Sequence, residues 1–134
     1  MVGEPAPAGA LTVPAAVRDA LVAHAADESP NECCGLVAFK DGVAERYLRA
    51  INEEPSPYYF KLRPADPMDF FLEDEGYELA IFHSHLSSPP RPSRTDVENI
   101  GQWEGKPYLI YSVRLDQLAC WRIEGGRIGE VPLA

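Results

Sequence analysis

Apolar positions recur every four residues at Val17, Leu21 and Ala25, while Arg18 and Asp19 fall on another face. That spacing predicts an amphipathic helix over residues 14–27, with Pro14 in its first turn and Thr12 as a candidate cap. Ser29-Pro30 ends it, because the residue before a proline is pushed out of the helical region. An apolar run at 35–39, the turn Lys40-Asp41-Gly42, and β-formers mixed with charges over 43–51 read as a hairpin. A turn-rich connection over 52–57 leads to a predicted strand at 58–62 and a predicted helix over 67–76. The uninterrupted apolar tetrad 79–82 suits a central strand buried on both faces. A loop carrying Pro89, Pro90 and Pro92 then leads into a short helix starting near Ser93. Strands are predicted at 108–115 and 118–123, with Gly125-Gly126 turning into a last strand. No repeat, low-complexity tract or internal linker interrupts the chain. The expectation is a single mixed α/β domain over residues 11–134 behind a flexible lead-in, residues 1–10.

Composition narrows the function classes. The 134 residues suit one domain, and 46% hydrophobic with 25% charged residues is a folded, soluble composition. With 21 acidic against 12 basic residues the net charge is −9, which argues against a nucleic-acid partner and against adsorption to an anionic membrane. No apolar run approaches the roughly 20 residues that cross a bilayer. Residues 1–10 have neither the basic start nor the apolar stretch of a signal peptide. The cysteines Cys33, Cys34 and Cys120 form no C-x-x-C and read as reduced, buried thiols of a cytoplasmic protein.

The chemistry concentrates at His83-Ser84-His85 and Ser93-Arg94-Thr95-Asp96. Histidines at i and i+2 on a strand point to the same side of the sheet, so both imidazoles can converge on one point. Asp96, at a helix start, can fold back beside them. Two imidazole nitrogens and one carboxylate make a three-ligand set for Zn²⁺, one ion per chain, with the fourth tetrahedral position left for water. A closed structural site would normally use cysteines, so the set reads as catalytic. Ser93 and Asp96 also match a helix capping box, and the two roles are compatible. Glu32 is by spacing only an acid at the start of a strand; its functional reading is a general base.

At this point the chain resembles the JAMM (MPN+) metalloproteases, whose motif is an upstream Glu followed by H-x-H-x7-S-x2-D. Glu32, His83, His85, Ser93 and Asp96 fill every position. The resemblance extends from Leu11 to the last strand and is to the small prokaryotic members. Leu86 departs from it, standing where many members have proline after the second histidine. The resemblance implies a mixed, curved β-sheet flanked by helices, of cytidine-deaminase-like architecture. It implies zinc on His83, His85 and Asp96, Glu32 as general base, and Ser93 as donor to the oxyanion of a tetrahedral intermediate.

It also implies a substrate: a ubiquitin-like sulfur-carrier protein ending in Gly-Gly, from which the enzyme releases cysteine or another amino acid. The alternatives are an isopeptidase that removes such modifiers from lysine, and a metal-free MPN scaffold. The full ligand set argues against the scaffold. A phosphodiesterase would usually want more carboxylates and a second metal. Tyr58, Tyr59 and Phe60 are candidates to line the tail's channel, and Arg91 and Arg94 to meet a substrate carboxylate. Asp69, Glu73, Asp74, Glu75 and Glu78 place five acids in ten residues, either a solvated helix face or a surface for a basic partner. The oligomeric state is left open.

Overall fold

The structure, a computed structural model, describes residues 9–134. Most of the expected lead-in, residues 1–8, lies outside the described residues. The chain opens with helix α1 (Ala15–Glu28), which buries Val17, Leu21 and Ala25 at the predicted spacing and His24 beside them. Pro14 is itself the N-cap, and no side chain caps the helix. Thr12 is occupied otherwise: its backbone accepts from Ala44 and donates to Gly42, bridging to the hairpin.

The hairpin is β1 (Cys34–Lys40) and β2 (Val43–Asn52). Its connection is Asp41 at φ 51° and Gly42 at φ 79°, the two left-handed residues that a tight primed turn requires. After β2 come β3 (Leu62–Pro64) and a 3-10 helix (Pro67–Glu75), then β4 (Glu78–His85) and helix α2 (Arg94–Glu98). The chain finishes with β5 (Tyr108–Ser112), β6 (Gln117–Glu124) and β7 (Arg127–Val131). The seven strands form one sheet in the order β3-β2-β1-β4-β5-β6-β7. All neighbours are antiparallel except β4 and β5, which are parallel and joined by a crossover carrying α2.

Strand β4 is central, and every residue from Leu79 to His85 is buried. Its two faces serve different layers. Ala80 and Phe82 join Val37, Leu109 and Leu21 in the core under α1. Ile81 joins Tyr108, Ile110 and Trp121 in a second core, against which Val97, Ile100 and Trp103 pack. Alternation along the strand puts His83 and His85 on this second face, towards α2.

Three expectations are corrected. The strand at 58–62 joins the ladder only at Leu62, preceded by a single backbone bond from Glu53 N–H to Lys61 O at 2.9 Å, because the Asn52 side chain does the work of a backbone partner there. Its amide donates to the carbonyls of Glu32 (3.0 Å) and Tyr59 (3.3 Å), and its oxygen accepts from Lys61 N–H (2.9 Å). The helix over 67–76 is a 3-10 helix that buries Leu72 alone. With a single anchor there is no apolar seam to hold α-helical spacing. The strand expected at 108–115 stops at Ser112, where the chain turns and Tyr111 Oη donates to Asp116 Oδ1 at 2.6 Å.

Candidate metal centre

His83 and His85 end β4, where the crossover leaves the sheet. Asp96 arrives from the first turn of α2, and the α2 cap aims it. The Asp96 N–H donates to Ser93 Oγ at 3.1 Å, and the Ser93 N–H donates back to Asp96 Oδ2 at 2.8 Å. The capping box predicted from the sequence is therefore formed, and the same carboxylate faces both histidines. Its Oδ2 lies 3.2 Å from His85 Nε2 and its Oδ1 lies 3.3 Å from His83 Nε2.

The other ring nitrogens decide what these contacts mean. His85 Nδ1 is 2.9 Å from the Pro89 carbonyl, which can only accept, so Nδ1 carries the hydrogen. His83 Nδ1 faces Glu32 Oε1 at 3.1 Å and the Ser84 carbonyl at 3.3 Å, again two acceptors. In the neutral rings both Nε2 atoms are then lone pairs pointed at a carboxylate, and His83 Nε2 is buried with no hydrogen-bond partner. With neutral rings there are three acceptors and no donor between them, so the centre needs positive charge, either a proton on the buried His83 or a bound metal ion. Tetrahedral zinc with bonds of about 2.0–2.2 Å sets its ligand atoms about 3.3–3.5 Å apart, close to the two separations found here. The residues present therefore fit the metal that the sequence led us to expect.

Electrostatics agree. Burial opposes charging His83, but the Asp96 carboxylate beside it, and then Glu32, outweigh burial and raise its pKa to about 9. Burial likewise opposes ionising Asp96. The charge attraction of His83, the close approach of both histidines and the Ser93 N–H overcome it, and hold the carboxyl well below the usual carboxylate range. The site is thus built to keep a carboxylate charged beside a positive centre at the histidines.

Glu32 is also buried, and its carboxylate and the two imidazoles offer ligand atoms that all lie within 4.8 Å of one another. Two carboxylates thus compete for the third ligand position. Asp96 meets the Nε2 atoms of both rings, whereas Glu32 meets His83 on its far nitrogen, so the geometry favours Asp96. Glu32 borders an open cavity of about 250 Å³ together with His85, Ser93 and Ser87. Its backbone is clamped on both sides: its N–H donates to Ser56 O at 2.8 Å and its carbonyl accepts from Asn52.

A second cavity, about 190 Å³, lies across the centre and holds Asp96, Tyr59, Phe60, Ile100, Trp103 and Tyr108 on its walls. The aromatic run is divided between the two. Tyr59 and Phe60 line this cavity, with Phe60 stacked on His83 at 4.4 Å, while Tyr58 lines the other. Neither arginine lines either cavity. Arg94 pairs with Glu98 at 2.8 Å, and Arg91 lies 5.2 Å over the Trp121 ring.

Sequence reasoning missed four supports. Asn52 holds Glu32, and Ser84 Oγ accepts from Cys33 N–H beside it at 2.9 Å. Tyr108, buried edge-on to His83, carries a hydroxyl whose pKa burial and the neighbouring Asp96 push well up. Trp121 Nε1 donates to the Pro90 carbonyl at 2.8 Å, next to the carbonyl that holds His85. The three cysteines are free and buried, as expected.

The fold agrees with what comparison with known proteins finds. The family model for prokaryotic homologues of the JAB domain matches residues 14–124. The CysO-cysteine peptidase of Mycobacterium tuberculosis is 31% identical over 131 residues, covering 92% of this chain and 89% of that one. The desampylase of Pyrococcus furiosus is 31% identical over 110 residues, covering 78% and 76%. The JAB1/MPN domain protein AF2198 of Archaeoglobus fulgidus superposes with a TM-score of 0.62 at 17% identity, covering 93% and 98%. The chain belongs to the prokaryotic JAB (JAMM) family of metallopeptidases and isopeptidases, with its single α/β domain in the JAB/MPN fold.

Proposed function

We propose that this protein is a zinc-dependent hydrolase that cleaves the bond after the Gly-Gly tail of a ubiquitin-like sulfur carrier, releasing cysteine or another amino acid. The observation that carries the chemistry is the pair of Nε2 lone pairs converging on Asp96, with Glu32 and Ser93 bordering one open cavity beside them. His83, His85 and Asp96 would hold the zinc. Bound there, zinc supplies Lewis acidity, lowering the pKa of water towards ~7. Glu32 moves the proton: Oε1 is engaged by His83, and Oε2 takes the proton of the attacking water and returns it to the leaving amine. Ser93 Oγ accepts the cap hydrogen bond, so its own hydrogen is free to donate to the developing oxyanion. Such a contact is worth roughly 3–4 kcal/mol of barrier. The carrier as substrate is supported by the 31% identity to CysO-cysteine peptidase over nearly the whole chain. The three buried free thiols suit a cytoplasmic location.

One observation favours a second reading, removal of a modifier from lysine. The cavity beside Glu32 and Ser93 is lined by Tyr58, Ser87, Ser88 and Thr95 and by no lysine or arginine, so nothing cationic in it selects a free amino-acid carboxylate. The deciding experiment is a mass-spectrometric digest of two synthetic adducts by zinc-loaded protein. One joins a Gly-Gly carrier to the α-amine of cysteine, and the other joins it to a lysine ε-amine. Cleavage of the first supports the proposal. Cleavage of the second alone replaces it with the isopeptidase. Protein that takes up no stoichiometric zinc and cleaves neither returns the scaffold.

A further inference from the structure

Residues 64–90 contain no lysine or arginine. The 3-10 helix within that stretch exposes three large apolar side chains in four residues: Met68 (65%), Phe70 (36%) and Phe71 (55%). Met68 and Phe71 line a surface groove together with Asp69, Asp74 and Glu75. Glu73 is paired with Lys106 and Glu78 with Arg122, whereas Asp69, Asp74 and Glu75 make no salt bridge among the described residues. Clustered apolar exposure of this kind marks an interaction surface, and an acidic rim left unneutralised by the chain's own bases selects a basic partner.

The face also connects to the candidate centre. The Phe70 ring is 6.0 Å from Trp103, and Trp103 lines the cavity that contains Asp96. A Gly-Gly tail has no side chains with which to be recognised, so specificity for one conjugate must come from the body that carries it. We propose that the Met68–Phe71 face docks the folded body of the conjugate, whose complementary surface is an apolar patch rimmed by lysine or arginine, while the tail passes Trp103 to reach the histidines. This rests on the carrier-hydrolase reading above and names the surface that reading lacks.

The test uses the zinc-loaded full chain, CysO as carrier probe, and a short acyl-Gly-Gly-Cys peptide. Two surface double variants are compared with wild type: Met68→Ser with Phe71→Ser, and Asp74→Lys with Glu75→Lys. Binding of free CysO, read by titration calorimetry, needs no turnover. It should weaken about tenfold or more in each variant. For the wild type it should weaken with added salt. KM for the CysO–cysteine adduct should rise similarly, with cleavage of the short peptide unchanged. Wild-type affinity retained in both variants overturns the proposal, as does equal loss on the peptide. So does a wild-type dimer that the apolar variant converts to monomer, because the face is then covered by a second copy. Failure of the hydrolase reading is seen separately, as wild-type protein that cleaves neither substrate; docking is then judged on binding alone.

Discussion

Replacing Trp121 with phenylalanine should weaken zinc binding without touching a ligand. The indole N–H donates to Pro90 O at 2.8 Å, and Arg91 packs over the ring at 5.2 Å. One residue away, Pro89 O accepts from Arg91 N–H at 2.8 Å and from His85 Nδ1 at 2.9 Å. Trp121 therefore holds the segment that sets the tautomer and tilt of His85. Phenylalanine keeps much of the apolar contact but leaves the Pro90 carbonyl without its donor, costing about 1–3 kcal/mol of stability. Partners that orient a histidine ligand through its second nitrogen usually contribute 10- to 100-fold in metal affinity, so a loss of about tenfold is expected. Competition with a chromophoric chelator measures the zinc dissociation constant, and thermal melting of the metal-free protein measures stability. Ile123→Val is the control. Ile123 is fully buried in the same core, and the change costs about 0.5–1.5 kcal/mol with no link to the loop. If Trp121→Phe and Ile123→Val both melt lower and both keep wild-type zinc affinity, Trp121 only packs and the orienting role is refuted.

Glu32→Ala should reduce hydrolysis by about 10²-fold or more while zinc stays bound; activity near wild type would remove the general-base role. His85→Ala should lose both metal and activity, read by elemental analysis, and a variant that keeps stoichiometric zinc would show the ligand set to be wrong. His24 gives a pH dependence. Burial first, and then the Arg49 guanidinium, lower its pKa below 6.5 against weaker opposing pulls from Glu28 and Asp27. The unfolded chain takes up that proton more readily, so this contribution to stability is full above 6.5 and is lost as pH falls through the folded value. Melting curves should show a slope below pH 6.5 that His24→Gln removes, and an identical slope in both proteins would exclude His24 as its source. Gly35→Ala would drive a methyl group into the Tyr47 ring and its Oη, which sits 2.6 Å from His24 Nδ1. A destabilisation of about 1–3 kcal/mol is expected in denaturant titrations, and an unchanged midpoint would show that Tyr47 moves aside freely.

What the sequence made legible was local. His83 and His85 share a face because strands alternate, and Ser93 and Asp96 meet because a helix start closes its own cap. Both relations span a few residues. Glu32 is different, since it reaches His83 only through the β1–β4 register that pairs Cys34 with His83. From spacing alone it was an ordinary acid, and only the family resemblance gave it a role. The supporting residues had no local signal at all. Tyr108 comes beside the centre through the parallel pairing of Ile81 with Tyr108, and Trp121 through the antiparallel pairing of Tyr108 with Trp121. The strand expected at 58–62 failed for a related reason. Its aromatic pattern is that of a strand, but a single distant side chain, Asn52, takes up the hydrogen bonds that pairing would have used.

Helix α2 couples the fold to the chemistry. It has five residues, far below the length at which propensity sustains a helix, so its start must be fixed from outside. Two things fix it: the reciprocal hydrogen bonds of Ser93 with Asp96, and the attraction of the Asp96 carboxylate to the histidines at the end of β4. Asp96 is common to both, with Oδ2 accepting the cap hydrogen bond and facing His85 Nε2 at once. Filling the centre with a cation therefore tightens the cap, and tightening the cap presents Ser93 Oγ to the adjoining cavity. On the proposed mechanism, the oxyanion donor would be ordered by the same event that supplies the electrophile. Metal uptake should accordingly be accompanied by slower amide exchange at Asp96 and Val97, whose N–H groups bond to Ser93. Exchange at these two amides that is the same with and without zinc would mean that the cap stands by itself and that the two halves of the site are independent.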